Sequence, residues 1–199
     1  HDHTGSRPRP MEDRHLVAQI NLPQINVRGT LAVVFDGFGG ELAANKAVRN
    51  AQMLFEQALI HRQGNVREAL QVMTASLNVL LANEESGTSM SAVFVSETQD
   101  RAFIAALGDC PVFWKTEVGM PMMTLAHNIR TNEAELRAAQ ARGAIVEANP
   151  SEGTYIRPPD NKTRILLTRA LGARKLGRIL SREPDIDEIP LIDGQVIVL

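Results

Sequence analysis

Two groups of acidic residues in this sequence could carry out chemistry together. Glu12 and Asp13 directly precede a short apolar segment, and Asp36 ends a second one and is followed by Gly37. If the two segments form neighbouring strands, the strand ends bring the three carboxylates together. Closely spaced carboxylates repel one another, and divalent cations that prefer hard oxygen ligands, such as Mg²⁺ or Mn²⁺, are their natural partners. Gly37 would allow its own backbone carbonyl to reach such a cation.

Two cations in such a site could lower the pKa of a bridging water and direct it at a phosphoryl group. The spacing of the acidic residues alone is weak support for that chemistry, because an Asp-Gly pair after a strand most often forms only a turn. The residue pattern therefore leaves both interpretations of Asp36-Gly37 open, a turn and a metal centre.

The hydrophobic pattern predicts the elements that would position these residues. Strands are predicted at 15–21, 27–35, 91–96, 101–107, 112–115, 144–147 and 196–199, and helices at 41–62, 66–83 and 131–142. The apolar run that ends at Phe35 predicts a strand buried on both faces, and the three strands between 91 and 115 are predicted to form a meander. The polar segment 149–162 is predicted to be a loop. This order of elements is typical of an α+β fold.

Three shorter patterns predict where elements begin and end. Thr131 is the predicted N-cap of the third helix, and Gly143 is the glycine predicted to end it. Asp193-Gly194 is predicted to form a hairpin turn before the last strand.

The composition restricts the classes of protein that need consideration. A chain of 199 residues, 44% of them hydrophobic, can form one domain with a sizeable core. A net charge of -2 gives no electrostatic reason to expect a nucleic acid or a membrane surface as partner. Cys110 is the sole cysteine, so no disulfide can form within the chain and a reducing, cytoplasmic location is predicted. We interpret this thiol as buried and structural rather than nucleophilic.

A series of motifs along the chain resembles, in the same order, the signatures of the metal-dependent (type 2C, PPM) serine/threonine protein phosphatases. Residues 11–13 resemble the MED signature of that family, and residues 34–40 resemble VFDGHGG. Further segments resemble a GSTA-like element, a GDS turn, an LTxDH segment, the ExxR helix, LTRALGD and PEI, at 87–90, 106–109, 125–128, 133–143, 167–172 and 183–186. Each motif is short, but their common order covers nearly the whole chain.

The resemblance implies both a fold and an activity. The fold would be a four-layer α-β-β-α sandwich of two antiparallel sheets flanked by helices, in a single domain from 7 to 199 whose C-terminal part is missing. Residues 1–6 are interpreted as the remnant of an expression tag. The activity would be the hydrolysis of phosphoserine or phosphothreonine in a phosphoprotein or phosphopeptide through metal-activated water.

The resemblance also implies roles for individual residues. Glu12, Asp36 and the Gly37 carbonyl would hold two Mg²⁺ or Mn²⁺ ions, and Asp13 would position the water as a catalytic residue. The family has a basic, phosphate-binding residue shortly before MED. Pro8 stands at that position here. The flanking Arg7 and Arg9 are the candidates for phosphate binding, and the alternative is that they are solvated surface charges.

The chain departs from the family pattern at several functional positions. Phe38 replaces the histidine of DGHGG, and a phenyl ring cannot donate a proton to a leaving group. Ala126 and Ala173 replace aspartates of the LTxDH and ALGD motifs. The sequence ends at Leu199, before the family's SDG and DN aspartates. Two hypotheses follow: a truncated piece of an active phosphatase, or a catalytically impaired pseudophosphatase that serves as a binding or regulatory module.

Overall fold

A six-stranded antiparallel sheet organises the protein in a computed structural model that describes residues 11–149, 151 and 153–199. In chain order the strands are β1 Arg14–Leu22, β2 Val27–Phe38, β3 Gly87–Ser96, β4 Arg101–Leu107, β5 Phe113–Lys115, β6 Met122–Met123, β7 Ile145–Asn149, β8 Gly153–Arg157, β9 Leu171–Gly172, β10 Asp185–Pro190 and β11 Val196–Val198. The helices are α1 Leu42–His61, α2 Val66–Leu80 and α3 Glu133–Ala141. The order in the large sheet is β1-β2-β3-β4-β10, and β9 pairs with β3.

Strand β2 extends further than its sequence predicts. Asp36, Gly37 and Phe38 continue the ladder opposite Ser89, Thr88 and Gly87 at the start of β3. The turn follows at Gly39 and Gly40, whose φ angles of 71° and 121° favour glycine. The interpretation of Asp36-Gly37 as a turn is therefore wrong, because both residues belong to the strand.

Helices α1 and α2 cover one face of the large sheet. Alanines on α1 are fully buried, which allows this helix to approach the sheet closely; they are Ala43, Ala44, Ala47 and Ala51. The α2 helix begins at Val66 because Asn65 caps it, accepting a hydrogen bond from the Glu68 amide at 3.1 Å. Phe35, Phe55 and Phe94 are among the largest fully buried side chains in the resulting core.

A small three-stranded sheet, β11-β5-β6, packs near the other face. Trp114 and Ile197 from this sheet contact a cluster that contains Val93, Ile104 and Ile189 of β3, β4 and β10. Two predictions are wrong here. Strand β5 pairs with β11 and β6 instead of continuing a meander after β4. Strand β2 is fully buried on one face only, because the small sheet packs on β3, β4 and β10, and alternate residues of β2 stay half-buried.

A third region contains α3 and the hairpin formed by β7 and β8, with its own cluster around Ile156 and Ala139. The predicted loop at 149–162 is wrong, because it contains β8. Asn132 rather than Thr131 caps α3, accepting from the Glu135 amide at 3.3 Å. Gly143 follows the helix with a φ of 92°, as predicted.

The turn at Asp193-Gly194 does not form a hairpin, since β10 before it pairs with β4 and β11 after it pairs with β5. The predicted α+β fold with antiparallel sheets and flanking helices is confirmed. Among the described residues, no helix combines the length and the apolar character that crossing a membrane requires.

Candidate functional site

Three aspartates meet at one end of the large sheet. The ladder places Arg14 opposite Phe35, so Asp13, one residue before β1, lies beside Asp36 on β2. Asp109 reaches the same end from the turn after β4. The backbone of Asp36 is fixed by the neighbouring strand, because its carbonyl accepts hydrogen bonds from the Thr88 hydroxyl at 3.1 Å and the Ser89 hydroxyl at 3.4 Å.

Glu12, Asp13, Asp36 and Asp109 form an acidic cluster whose carboxylates act on one another electrostatically. Partial burial and then the charge of Asp13 raise the pKa of Asp36 from 3.8 to about 6, although the residue reaches the surface. The charges of Asp109 and Glu12 and a hydrogen bond with the Asp13 carboxyl act in the same direction. Among the described residues, every influence identified on the pKa of Asp36 raises it.

The donor chemistry of the acidic cluster fits a hard divalent cation, because its members are carboxylates that act on one another electrostatically. The arrangement is not a finished coordination shell. Within the described part of the chain, no three aspartate, glutamate, histidine or cysteine side chains converge as a ready-made metal site. Glu12, Asp13 and Asp36 are thus brought into one neighbourhood, and a bound cation would have to draw their carboxylates together.

Gly37 has a structural reason to be glycine. A Cβ atom at this position would lie 2.5 Å from the Glu12 backbone oxygen and 3.0 Å from the Glu12 Cβ. The segment before β1 therefore passes directly over Gly37, which any side chain there would prevent. The close passage keeps Glu12 next to Asp36, so this glycine helps to assemble the acidic cluster whether or not its carbonyl binds a cation.

Arg14 organises the acidic segment and was not identified from the sequence. Its guanidinium donates to the backbone oxygens of Met11 and Asp13, both at 2.7 Å. The same group donates to Asn45 Oδ1 at 2.6 Å and pairs with Glu41 Oε2 at 2.7 Å, at the start of α1. Sequence reasoning missed this role because the partners on α1 lie about thirty residues away. Arg14 ties the segment that carries Glu12 and Asp13 to the helix.

Phe38 occupies the position that precedes the glycine turn. A Cβ atom added to Gly87 would overlap the far end of the Phe38 ring, so the ring packs against the opposite strand at Gly87. The half-buried ring also contacts the apolar cluster of the third region. It therefore contributes packing at this position and supplies no exchangeable proton.

Cys110 lies next to the acidic cluster and is half-buried. Burial raises the pKa of its thiol, a hydrogen bond with Ser91 lowers it, and the charges of Asp36 and Asp109 raise it further. The thiol is thus kept protonated at neutral pH, which agrees with the interpretation of a structural rather than nucleophilic cysteine. Arg7 and Arg9, the predicted phosphate-binding residues, lie outside the described residues.

A comparison with known protein families identifies the family of this chain. Residues 2–199 match the family model for protein phosphatase 2C. The chain belongs to the protein phosphatase 2C family. The resemblance inferred from the motifs is confirmed, and members of the protein phosphatase 2C family are generally metal-dependent.

Two solved structures share the fold of this protein phosphatase 2C chain. A sex-determining protein of C. elegans has a TM-score of 0.76 and 21% identity, over 94% of this chain and 47% of its own. The serine-threonine phosphatase 2C of Toxoplasma gondii has a TM-score of 0.72 and 16% identity, over 94% of this chain and 72% of its own. The chain thus spans about half the length of the first structure. No curated protein sequence matches it significantly.

Replacement of Arg14 by lysine is expected to weaken Mn²⁺ binding by this protein phosphatase 2C chain about tenfold, as is typical when a residue that supports metal ligands is lost. Lysine keeps the charge but cannot serve four acceptors in fixed directions. Isothermal titration calorimetry measures the affinity. Arg28→Lys is the matched control, because Arg28 lies on β2, exposed and paired with Glu97. Equal affinities in the two variants would show that Arg14 does not organise the site.

Proposed function

We propose that the chain carries the metal-binding part of a phosphatase centre that hydrolyses phosphoserine or phosphothreonine in a phosphoprotein. The observation that supports this function is the acidic cluster at the sheet end, where burial and then the charges of Asp13 and Asp109 raise the pKa of Asp36 to about 6. Such a cluster is costly for a protein unless a cation or a reaction uses it. Family membership supports phosphorylated protein as the substrate class.

Within this proposal, Glu12, Asp36 and the Gly37 carbonyl would hold Mg²⁺ or Mn²⁺, two ions in all. When bound, these ions would supply positive charge that balances the carboxylates and attracts the phosphoryl oxygens. Asp13 lies beside Asp36 and would orient the attacking water by accepting a hydrogen bond from it. Arg7 and Arg9 would bind the phosphate group. We further propose a single domain from 7 to 199 and a cytoplasmic location.

The test is Mn²⁺-dependent turnover of a phosphothreonine peptide by the chain and by a C-terminally extended form. Asp36→Asn should abolish turnover, because it removes the central carboxylate while preserving the size of the side chain. Asp100→Asn is the matched control, since Asp100 is exposed in the turn at the opposite end of the same sheet. Turnover in neither form, or equal turnover in both variants, would contradict the proposal.

A second candidate function is that of a pseudophosphatase, a binding or regulatory module that uses the same fold. The specific observation in its favour is that the packed apolar side chain of Phe38 stands where a proton donor would be needed. The replacement of aspartates by Ala126 and Ala173 points in the same direction. Calorimetry separates the two functions: tight binding of two Mn²⁺ ions favours the enzyme, and binding of a phosphopeptide without Mn²⁺ or turnover favours the module.

A further inference from the structure

His127 is a buried side chain with two defined hydrogen bonds. Its side chain is 1% exposed. Nδ1 accepts a hydrogen bond from the Gly108 amide at 3.0 Å, and Nε2 lies 2.9 Å from Asp185 Oδ2. Because a backbone amide can only donate, Nδ1 carries no proton, and Nε2 therefore donates to the Asp185 carboxylate. The hydrogen bonds thus select one tautomer, the neutral imidazole with its proton on Nε2.

The backbone of His127 holds the same turn as its ring does. The His127 amide donates to the Gly108 carbonyl at 2.8 Å, so both polar groups of Gly108 are bound by one residue. The next residue, Asn128, donates from Nδ2 to Asp109 Oδ2 at 3.1 Å. His127 is therefore hydrogen-bonded to Gly108, and Asn128 is hydrogen-bonded to Asp109. Asp109 is one of the carboxylates that raise the pKa of Asp36.

The turn at Gly108 requires glycine and is tightly packed. Its φ of 103° lies in the region that favours glycine. A Cβ atom at this position would overlap the Cβ of Ser89 and lie 3.0 Å from the Arg169 carbonyl oxygen. The turn is thus pressed between β3 and the segment after β8, and the hydrogen bonds of His127 determine its orientation.

A chain of charged groups anchors the other side of His127. Asp185 accepts a hydrogen bond from Arg169 Nη1 at 2.8 Å, and Arg169 Nη2 pairs with Glu135 Oε1 at 2.5 Å. Thr168 donates to Glu135 from its hydroxyl and to the His127 carbonyl oxygen from its amide at 2.9 Å. Asp185 is therefore held in place on both sides. Its carboxylate is a fixed acceptor for Nε2.

We propose that His127 is a positioning residue which, as the Nε2–H tautomer, fixes the Gly108 amide and thereby holds the Asp109 carboxylate in the acidic cluster. The consequence for cation binding rests on the proposed phosphatase function. The hydrogen bonds between residues 127–128 and 108–109 do not rest on it, because they join groups of the chain itself. If His127 contributed only to core packing, its substitution would lower the stability of the whole fold without a selective effect on the turn at Gly108.

Two substitutions separate the two nitrogens of the ring. In His127→Asn the side-chain oxygen can take the place of Nδ1 and accept from Gly108, but nothing reaches Asp185. In His127→Gln the terminal amide can take the place of Nε2 and donate to Asp185, but the acceptor for Gly108 is lost. Asn is one methylene shorter than Gln, so the loss of a contribution to core packing alone would be larger in the Asn variant, the opposite of the order expected here.

The decisive measurement is amide hydrogen exchange of the metal-free protein, together with the ¹⁵N chemical shifts of the imidazole. The wild type should show the Nε2–H tautomer. His127→Gln should lose protection at the Gly108 amide about tenfold or more relative to Ala105 of β4, and His127→Asn should retain it. Equal loss in both variants, or a protonated Nδ1 in the wild type, would overturn the proposal. If His127→Gln does not fold, the ¹⁵N shifts of the wild-type imidazole still test the proposal, because a protonated Nδ1 could not accept from the Gly108 amide.

Calorimetry with Mn²⁺ then tests the consequence for the acidic cluster. The affinity of the Gln variant should fall about 10–100-fold below that of the wild type, as for other residues that support metal ligands, and the Asn variant should remain close to it. A wild type that binds no Mn²⁺ would contradict the proposed function, and the exchange data would still decide the role of His127. Unchanged Mn²⁺ affinity in the Gln variant would show that the hydrogen bonds between residues 127–128 and 108–109 do not support cation binding by the acidic cluster.

Discussion

Glu135→Gln is expected to lower the free energy of unfolding by about 3 kcal/mol. Glu135 is 6% exposed on α3, and its carboxylate pairs with Arg169 while accepting from the Thr168 hydroxyl. Neutralising the acid leaves a largely buried guanidinium without its closest counter-charge, which is the costly way to break a buried ion pair. Asp185 still neutralises Arg169 in part, so the loss lies at the lower end for such pairs. Urea denaturation followed by circular dichroism measures it.

The control is Glu133→Gln, the same substitution in the same first turn of α3. Glu133 and Arg137 form an exposed pair, with side chains 78% and 66% accessible, so the loss should stay within about 0.5 kcal/mol. Both substitutions remove one acidic residue from the helix start, so their effects on the helix dipole cancel in the comparison. Similar losses in the two variants would show that the buried pair does not stabilise the fold.

The effect of Glu135→Gln also depends on pH in a defined direction. Burial raises the pKa of Glu135, but hydrogen bonds from Arg169 and Thr168 outweigh it and hold the pKa below 4.5. An acid with a lowered pKa stabilises the folded state above its unfolded pKa, and this stabilisation is lost as the pH falls through the folded value. The difference between wild type and variant should therefore be constant near neutral pH and shrink below about pH 4.5. A difference that grows on acidification would contradict this role.

Asp36→Asn is expected to act in opposite directions on the metal-free and the Mn²⁺-loaded protein. Burial and neighbouring carboxylates raise the pKa of Asp36 to about 6, so the ionised form costs folding free energy at pH 7, and the variant should gain about 0.5–1 kcal/mol once exposure is considered. With Mn²⁺ at a hundred times its dissociation constant, the wild type should instead gain about 2.7 kcal/mol. The variant should lose that gain. Thermal unfolding with and without Mn²⁺ measures both effects.

The control for Asp36→Asn is again Asp100→Asn, at the far end of the sheet. It should leave both the metal-free stability and the gain from Mn²⁺ unchanged, because its carboxylate is not among the groups that act on Asp36. If Mn²⁺ stabilised the Asp36 variant as much as the wild type, the ion would bind elsewhere and the acidic cluster would not be its site.

The juxtaposition of Asp13 and Asp36 could be predicted because it follows from local patterns. Two apolar segments joined by a short turn pair antiparallel, and the acidic residues stand at the ends that must meet. The continuation of β2 through Asp36 and Gly37 could not be predicted in this way. Both residue types are rare in strands, and only the pairing partner at the start of β3 makes the extension possible.

Residues that act over long sequence distances were missed for the same physical reason. Arg14 binds α1, and Asp109 joins the cluster through a turn that His127 holds from nineteen residues away. Strand β8 was missed because its sequence is polar and flanked by prolines. Pairing with β7 and the positions of Arg130 and Arg164 over the Tyr155 ring, at 5.0 and 5.1 Å, stabilise it instead.

The packing of Phe38 on Gly87 has a consequence for how this chain could change by mutation. An imidazole is smaller than a phenyl ring, so a histidine at position 38 fits the space above Gly87 without any second change. A substitution at position 87 has a different effect. Any side chain there would displace the Phe38 ring and disturb the ladder between β2 and β3 next to Asp36. Glycine at 87 thus allows one residue substitution at position 38 to exchange an apolar side chain for a proton-donating one beside the acidic cluster.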